Sequence, residues 1–341
     1  MQASRSPSLF VSILSTLVFF TCAFGQDVMT KHVVLPGDPK PSGTKSLSDH
    51  KDWAGVTPPA PTITEHSTPT FTGIGVAPGQ ACNKSSCLPA VWFTEYAAAK
   101  IGRITTAGNL QDFALPNPNS YPLAIAAGSD GALWFTEYPS QIGRMTAAGV
   151  LTKEYPTPTT GYPTSIAAGS DGALWFTESQ ASNIGRITTG GKVTEYSVSS
   201  GPWAITAGPD GALWFTAYRA IGRITTKGKV SEFSVSAAYG ITSGPDGALW
   251  FTENTFATNK IGRMTTAGVL TNEYTIPTPN SGPEFITTGP DGALWFTEVD
   301  ANQIGRITTA GVITEYLTAR ESHVVSRHPN RIRTAISRYL S

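Results

Sequence analysis

The sequence predicts an all-β propeller, a ring of four-stranded blades, and two observations carry that prediction. One ten-residue phrase, Gly-Ser/Pro-Asp-Gly-Ala-Leu-Trp-Phe-Thr-Glu, recurs along the chain, after a degenerate first copy that ends at Glu95. A period of about 40 residues with strand-like content is typical of propeller blades. We therefore predict six full repeats plus a degenerate seventh, with a six-bladed ring as the alternative. The phrase places tryptophans at Trp92, Trp134, Trp175, Trp214, Trp250 and Trp295.

Each repeat predicts four short strands, which the second repeat shows in order. Residues 123–127 form a small apolar run, predicted as the innermost strand. Asp130-Gly131 supplies the positive φ that a tight hairpin turn requires. Residues 133–137 alternate as the second strand should, and residues 142–146 and 150–155 complete the blade. A Pro-Thr-Pro-Thr segment then leads to the next repeat.

Side chains that recur in every repeat are predicted to build the blades. The tryptophans are expected to act as wedges between neighbouring blades. The third-strand Arg and the second-strand Glu are expected to satisfy each other or nearby backbone groups. The Glu is replaced once, by Ala217. Because recurrence indicates structure, the residues that differ between repeats are the place to look for function.

The two ends of the chain differ in composition from the repeats. Residues 1–25 read as a signal peptide, with Arg5 before a short apolar run and a small-residue cleavage site at Ala23-Phe24-Gly25. Residues 26–60 are expected to be a disordered, Pro-rich arm and residues 61–319 the propeller. Residues 320–341 form a basic tail without the repeat phrase. The protein is therefore expected to be secreted.

The charge balance and the cysteines narrow the possible partners. The chain has 24 basic and 24 acidic residues, and only 14% of its residues are charged. That balance argues against nucleic acid as a partner. We expect no membrane span in the mature chain. We also predict that the protein is a monomer. Cys82 and Cys87 remain after signal removal. In an oxidising compartment they are expected to form a disulfide that closes the loop between them.

Three phrases in fixed order give the chain a family resemblance. Gly-Pro-Asp-Gly-Ala-Leu-Trp-Phe-Thr-Glu, Ile-Gly-Arg-Ile-Thr-Thr and Ile-Thr-Glu-Tyr together resemble the virginiamycin B lyase (streptogramin lyase) family, over residues 61–317. The resemblance implies a seven-bladed propeller. It also implies an enzyme that opens the ring of type B streptogramins by eliminating across an ester C–O bond with bound Mg²⁺.

The chain departs from that family at the catalytic histidines, which the resemblance places at the start of the innermost strands. The matching quartets contain no His, and all five histidines lie outside the six full repeats. Glu284 is the one ionisable residue at these positions. It is therefore the candidate base or metal ligand, because burial can raise the pKa of a carboxyl group. The histidines are His32, His50, His66, His323 and His328.

The residues that vary between repeats predict a ligand site at one mouth of the central channel. Two aromatic residues and one carboxylate could hold a small molecule, a sugar or a peptide by stacking and one anchoring charge. Tyr218, in the repeat whose Glu is lost, is a candidate pocket wall. The mouth positions are Thr72, Leu123, Thr164, Trp203, Tyr239 and Glu284.

Three classes of function follow. A secreted binding propeller needs only the aromatic rim, and the sequence favours it. A depsipeptide lyase needs Mg²⁺ and a base other than His. A lactonase-type hydrolase needs several oxygen ligands around a Ca²⁺ ion in the channel, and Glu284 is the only such ligand at the mouth positions.

Overall fold

The computed structural model describes residues 73–82, 87–105, 108–255 and 258–317, and these form six blades. Every blade is an antiparallel sheet of four strands, so the predicted all-β propeller is confirmed. The predicted signal peptide, Pro-rich arm and basic tail lie outside the described residues. A degenerate seventh repeat stays a prediction. Within the described residues no helix has the length and apolar character needed to cross a bilayer.

The strands follow the predicted repeat, four to a blade. Blades 1 to 3 contain β1 Gly73–Cys82, β2 Cys87–Glu95, β3 Lys100–Thr105, β4 Leu110–Ala114, β5 Ile125–Ala127, β6 Leu133–Glu137, β7 Gln141–Met145, β8 Leu151–Pro156, β9 Pro163–Ala168, β10 Leu174–Glu178, β11 Asn183–Ile187 and β12 Val193–Ser197. Blades 4 to 6 contain β13 Pro202–Ala207, β14 Leu213–Ala217, β15 Ala220–Ile224, β16 Val230–Ser234, β17 Ile241–Ser243, β18 Leu249–Thr255, β19 Thr258–Met264, β20 Leu270–Thr275, β21 Pro283–Thr288, β22 Leu294–Glu298, β23 Gln303–Ile307 and β24 Ile313–Leu317.

The first strand of each blade is the innermost one. The strands β1, β5, β9, β13, β17 and β21 lie side by side in that order, each against the next. Consecutive strands of a blade then pair outwards in simple sequence order. In the described part of the chain, β21 and β1 do not form a comparable contact. The sixth blade therefore has a neighbour on one face only among these residues.

The turn between the first two strands supplies the partner of the repeated Arg, and here the sequence-based prediction is wrong. In blade 2, Asp130 Oδ1 accepts a hydrogen bond from Trp134 Nε1 at 3.1 Å, and Asp130 Oδ2 accepts one from Arg144 Nε at 2.9 Å. Arg144 thus pairs with the turn Asp and not with the second-strand Glu. The same pairing recurs in blades 3 to 6, as Asp171–Arg186, Asp210–Arg223, Asp246–Arg263 and Asp291–Arg306.

The first blade lacks the turn Asp, and its Arg has other hydrogen-bond partners. Its hairpin has no Asp-Gly turn, and Arg103 donates instead to the main-chain oxygen of Ala147 at 3.2 Å and to Gln111 Oε1. Its hairpin ends in the predicted disulfide, which is confirmed: Cys82 and Cys87 are bonded, with 4.1 Å between their Cα atoms. A covalent link therefore closes the one hairpin that departs from the repeated turn.

The tryptophans are wedges between blades, as predicted. Trp250 is fully buried and packs with Leu294 and Phe296 of the following blade. Its indole also stacks on Tyr274 of its own outer strand, at 5.7 Å between ring centroids. That Tyr in turn covers Gly311 of the following blade, whose φ of +88° and close ring contact both require glycine. Each junction is thus an apolar sandwich built from two consecutive repeats.

Candidate functional site

Strand pairing brings the predicted mouth residues to one edge of the propeller. Innermost strands begin opposite the end of the second strand, as in the pairs Pro202↔Ala217 and Pro283↔Glu298. The residue after each of these prolines therefore lies at the same edge as the loop that follows the second strand. This edge, with the variable side chains around it, is called the mouth below.

A repeated Thr fastens the mouth residue of one blade to the blade before it. Thr252 Oγ1 donates to the main-chain oxygen of Glu284 at 2.7 Å while accepting from Gly240 N at 2.8 Å. Thr216 and Thr177 donate in the same way to the main-chain oxygens of Tyr239 and Trp203. The mouth residues are thus held by their backbone, and their side chains remain available for other contacts.

Trp203, Tyr239 and Glu284 lie in a row across blades 4, 5 and 6. The ring centroids of Trp203 and Tyr239 are 5.4 Å apart, and the two planes are inclined by 48°. Burial raises the pKa of the Tyr239 hydroxyl well above its ordinary value, and the charge of Glu284 adds to that rise. All three side chains are half-buried. They form a continuous aromatic and acidic row, called the rim trio below.

Glu284 has the electrostatics of a group that can hold or release a proton near neutral pH. Burial, followed by the nearby charge of Asp300, raises the pKa of its carboxyl group to about 7. An ordinary exposed carboxyl group is ionised at that pH. Glu284 can therefore either donate a hydrogen bond to a ligand or accept a proton from one.

The remaining predicted residues are placed differently. Thr164 extends the row, since its hydroxyl donates to the main-chain oxygen of Trp203 at 3.0 Å. Leu123 is half-buried, and its main-chain oxygen accepts from Thr94 Oγ1 at 2.9 Å. Tyr218 is 75% exposed beside the Arg219 guanidinium, so it does not share the half-buried surroundings of the rim trio. Thr72 lies outside the described residues.

The structure also shows a group of residues that the sequence comparison missed. Tyr96, Tyr121, Tyr138 and Tyr162 come from the mouth loops of blades 1 to 3, and their rings touch in sequence, with centroid distances of 5.1, 5.8 and 4.9 Å. Tyr138 and Tyr162 also share a hydrogen bond between their hydroxyls at 3.3 Å. Tyr121 and Tyr162 have positive φ angles, of 42° and 52°, which are uncommon for residues other than glycine. This row is called the tyrosine strip below.

The described residues do not offer the ligands of a metal ion. No three His, Cys, Asp or Glu side chains of the described ranges are grouped closely enough to hold one. Glu284 has Asp300 as an acidic neighbour, yet a Mg²⁺ site normally draws on more oxygen ligands than one such pair. The five histidines also lie outside these ranges. The residues of the described ranges therefore do not fit the Mg²⁺ site that the family resemblance implies, and no chemical step is assigned to it.

The described residues define a β-propeller whose mouth carries aromatic side chains and one carboxyl group of raised pKa. The sequence profile of the virginiamycin B lyase family matches residues 62–236 and 197–326. The chain belongs to the virginiamycin B lyase family. A search among curated protein sequences found no match.

Solved structures of the family are similar over most of their length. The selenomethionine-substituted virginiamycin B lyase from Staphylococcus aureus is 42% identical, covers 72% of this chain and 85% of its own, and superposes with a TM-score of 0.65. A streptogramin B lyase is 40% identical, over 75% of this chain and 86% of its own, with a TM-score of 0.67. A catalytically inactive His-to-Ala variant of the Staphylococcus aureus lyase, with quinupristin, is 42% identical over 73% and 86%, with a TM-score of 0.64.

Proposed function

We propose that the protein binds a small molecule, sugar or peptide at the mouth, with the rim trio as the primary contact. The observation that carries this proposal is the half-buried row of two aromatic rings and one carboxyl group at positions where other repeats have different residues. Ligand sites combine aromatic walls with a few polar groups that fix orientation, and the rim trio has that composition.

Each member of the rim trio has a distinct role in this proposal. Trp203 and Tyr239 stack on an aromatic or pyranose face of the ligand. Glu284, whose pKa lies near 7, donates or accepts one hydrogen bond and so selects the orientation of the ligand. The tyrosine strip faces the same mouth from blades 1 to 3, which supports a ligand longer than one ring.

The compartment in which this binding occurs is part of the proposal. We propose that the protein is secreted, and the Cys82–Cys87 disulfide supports this because such bonds persist in oxidising compartments. The predicted signal peptide, residues 1–25, is consistent with the same route.

A second candidate function is elimination of the kind that gives the family its name. Glu284 favours it, because a carboxyl group with a pKa of about 7 can act as a general base at neutral pH. The relative whose catalytic activity is lost in a His-to-Ala variant uses a His, and the described part of this chain has none. Binding is therefore the better supported of the two.

The test is a calorimetric titration of the full chain with quinupristin, neutral oligosaccharides and aromatic peptides. We expect one probe class to bind, and Trp203→Ala to weaken that binding at least about tenfold, since a stacking contact contributes on the order of 1 kcal/mol beyond burial. Trp295→Ala, which removes a repeated blade Trp outside the rim trio, serves as the matched control. Equal affinity of the Trp203→Ala and wild-type proteins, or no binding of any probe, would overturn the proposal.

Mass spectrometry of quinupristin after incubation separates binding from catalysis. Incubation with Mg²⁺ and with EDTA should leave the cyclic antibiotic intact if the protein only binds. Appearance of the linear product, lost in Glu284→Gln, would instead establish the elimination activity.

A further inference from the structure

In five of the six blades, the Glu that follows Trp-Phe-Thr in the second strand is almost completely removed from water. None of these side chains is more than 1% exposed. They sit on the face of the strand that also carries the buried Leu and Phe, and so they point into the junction with the preceding blade. The five residues are Glu95, Glu137, Glu178, Glu253 and Glu298.

The neighbour of four of these buried carboxyl groups is a second carboxyl group, from the outer strand of the same blade. Thr159 Oγ1 lies 3.4 Å from Glu178 Oε2 and 3.2 Å from Glu195 Oε1, so the two carboxyl groups meet at one hydroxyl. Glu253 and Glu273, and likewise Glu298 and Glu315, are close enough for the outer carboxyl group to raise the pKa of the buried one. In blade 2 the charge of Glu154 faces Glu137. These four couples are called the acid pairs below.

Few other groups face the acid pairs. The hydroxyls of Thr157 and Thr159, on the segment that leads into blade 3, lie beside Glu178. Ser120 lies beside Glu137 and Ser281 beside Glu298. These are neutral donors and cannot supply a compensating charge.

Blade 5 has the one cation that faces an acid pair within the described residues. Lys260 Nζ lies 3.7 Å from Glu273 Oε2. No N–H or hydroxyl group of the described chain hydrogen-bonds to either carboxyl oxygen of Glu253, which is fully buried. The Lys pairs directly with the outer Glu, and its charge partly offsets the rise in the pKa of the inner Glu that burial and the outer carboxyl group cause.

A hydrogen bond between two carboxyl groups requires a proton. An ionised carboxylate is an acceptor only, so two of them cannot bond to each other. Two adjacent carboxylates also repel, and burial of an unpaired charge is strongly unfavourable. One proton on the pair removes a charge and supplies the missing donor at the same time.

We propose that each acid pair holds one proton between its inner and outer carboxyl groups, and that these four protons act as latches that hold the second strand to the outer strand within a blade and release as the solution becomes alkaline. The protonated member is the inner Glu, because it is the more deeply buried of the two. The acid pair recurs in blades 2, 3, 5 and 6, and so these four blades respond to pH together.

The expected pH range follows from the buried members. Burial, and then the charge of Glu154, raises the pKa of Glu137 to about 8. Burial and the neighbouring carboxyl groups raise the pKa values of Glu178, Glu253 and Glu298 to about 7. A raised pKa means that the folded chain binds more protons than the unfolded chain between the two pKa values. The stabilisation is therefore complete below about pH 4.5 and is lost as the pH rises through 7 to 8.

Blade 4 is a natural control. Ala217 replaces the inner Glu there and is buried in an apolar cluster with Ile205 and Phe215. The outer Glu232 remains, and its Oε1 accepts a hydrogen bond from Ser199 N at 3.0 Å. This blade forms the same four-stranded sheet without an acid pair, so the inner carboxyl group is not required for a blade to fold.

The test counts the protons released when the full chain unfolds at pH 6, by calorimetry in buffers of different ionisation enthalpy. The wild type should release about four protons from the acid pairs, beyond the ordinary background. Glu253→Gln should release about one fewer, because its amide supplies the hydrogen bond without a proton. Ala217→Glu, which completes the pair with Glu232, should release about one more, and Ala217→Gln should leave the number unchanged.

The result that overturns the proposal is an equal release from the wild type, Glu253→Gln and Ala217→Glu. If Glu253→Gln does not fold, Glu178→Gln and Glu298→Gln test the same point in other blades. The infrared carbonyl band of a protonated carboxylic acid, followed in the wild type alone, gives an independent reading. It should be present at pH 6 and disappear above pH 8, and its absence at pH 6 would also refute the latches.

Discussion

Trp250 and Trp295 occupy the same position in consecutive blades, and their surroundings differ in one respect only. Both indoles donate to the turn Asp at 3.0 Å, stack on the outer Tyr at 5.7 and 5.5 Å, and lie under the Arg guanidinium at 5.8 Å. Trp250 is fully buried by the following blade, whereas Trp295 is partly exposed in the described structure. The contacts inside a blade are therefore complete without a neighbour, and only burial depends on the neighbour.

That difference separates two kinds of stabilisation. The Asp, Trp, Arg and outer aromatic residue belong to one repeat and form the same network in blades 2 to 6. The apolar sandwich between blades is shared by two repeats, so it is lost at an edge. Substitutions at matched positions in blades 5 and 6 can test this division.

The largest difference is expected between Trp250→Ala and Trp295→Ala. Removing a fully buried Trp leaves a cavity in the fifth junction and should lower the free energy of unfolding by about 3–5 kcal/mol. The same change at Trp295 removes less buried surface, so we expect about half that loss. Urea unfolding followed by circular dichroism measures both values. Equal losses would mean that a further segment covers Trp295 as completely as blade 6 covers Trp250.

An equal effect is expected for Asp246→Ala and Asp291→Ala. Each change removes the partner of the Trp indole, of the Arg guanidinium and of the turn backbone, and so should cost about 2 kcal/mol. The same unfolding experiment measures both changes. Asp112→Ala serves as the comparison, because Asp112 lies in the outer strand of blade 1, a blade that has no turn Asp. A much larger effect in blade 5 would show that the network also depends on the neighbouring blade.

The smallest effect is expected for the repeated Thr that hydrogen-bonds to the mouth residue of the next blade. Thr252→Val removes the hydrogen bond to the Glu284 main-chain oxygen as well as the one from Gly240 N, for a loss of about 1 kcal/mol. Thr297 accepts from Phe285 N, and no acceptor in a following blade is present within the described residues. Thr297→Val should therefore be the milder change. Hydrogen exchange of the innermost strands gives a finer measure here than global unfolding, and a greater effect at Thr297 would contradict the comparison.

The repeat made most of the fold predictable from the sequence, because it fixed strand positions, turns and wedges at once. The partner of the Arg was mispredicted for a physical reason. Asp130 and Glu137 recur with equal regularity, and only the folded turn shows that the Asp side chain bends back to both Trp134 and Arg144. The acid pairs were not predicted from the sequence either. Glu178 and Glu195 lie in different strands, and their proximity depends on how the segment between blades packs.

The mouth was only partly predictable. Trp203, Tyr239 and Glu284 occupy equivalent positions, so alignment of the repeats grouped them, and the structure places them in one row. The tyrosine strip escaped because its members occupy two different positions, Tyr96 and Tyr138 after the second strand and Tyr121 and Tyr162 before the first. Contact between such positions arises from the curvature of the ring, which repeat spacing does not describe.

The Thr bridges have a consequence for how such a protein can change. They bond to a main-chain oxygen, an atom that every residue possesses, and four chemically unlike residues already share that bond: Leu123, Trp203, Tyr239 and Glu284. This hydrogen bond therefore does not depend on which side chain occupies the position. The side chains of the mouth can therefore be exchanged one blade at a time while the scaffold stays intact, and libraries for new ligands can be built by randomising these few sites.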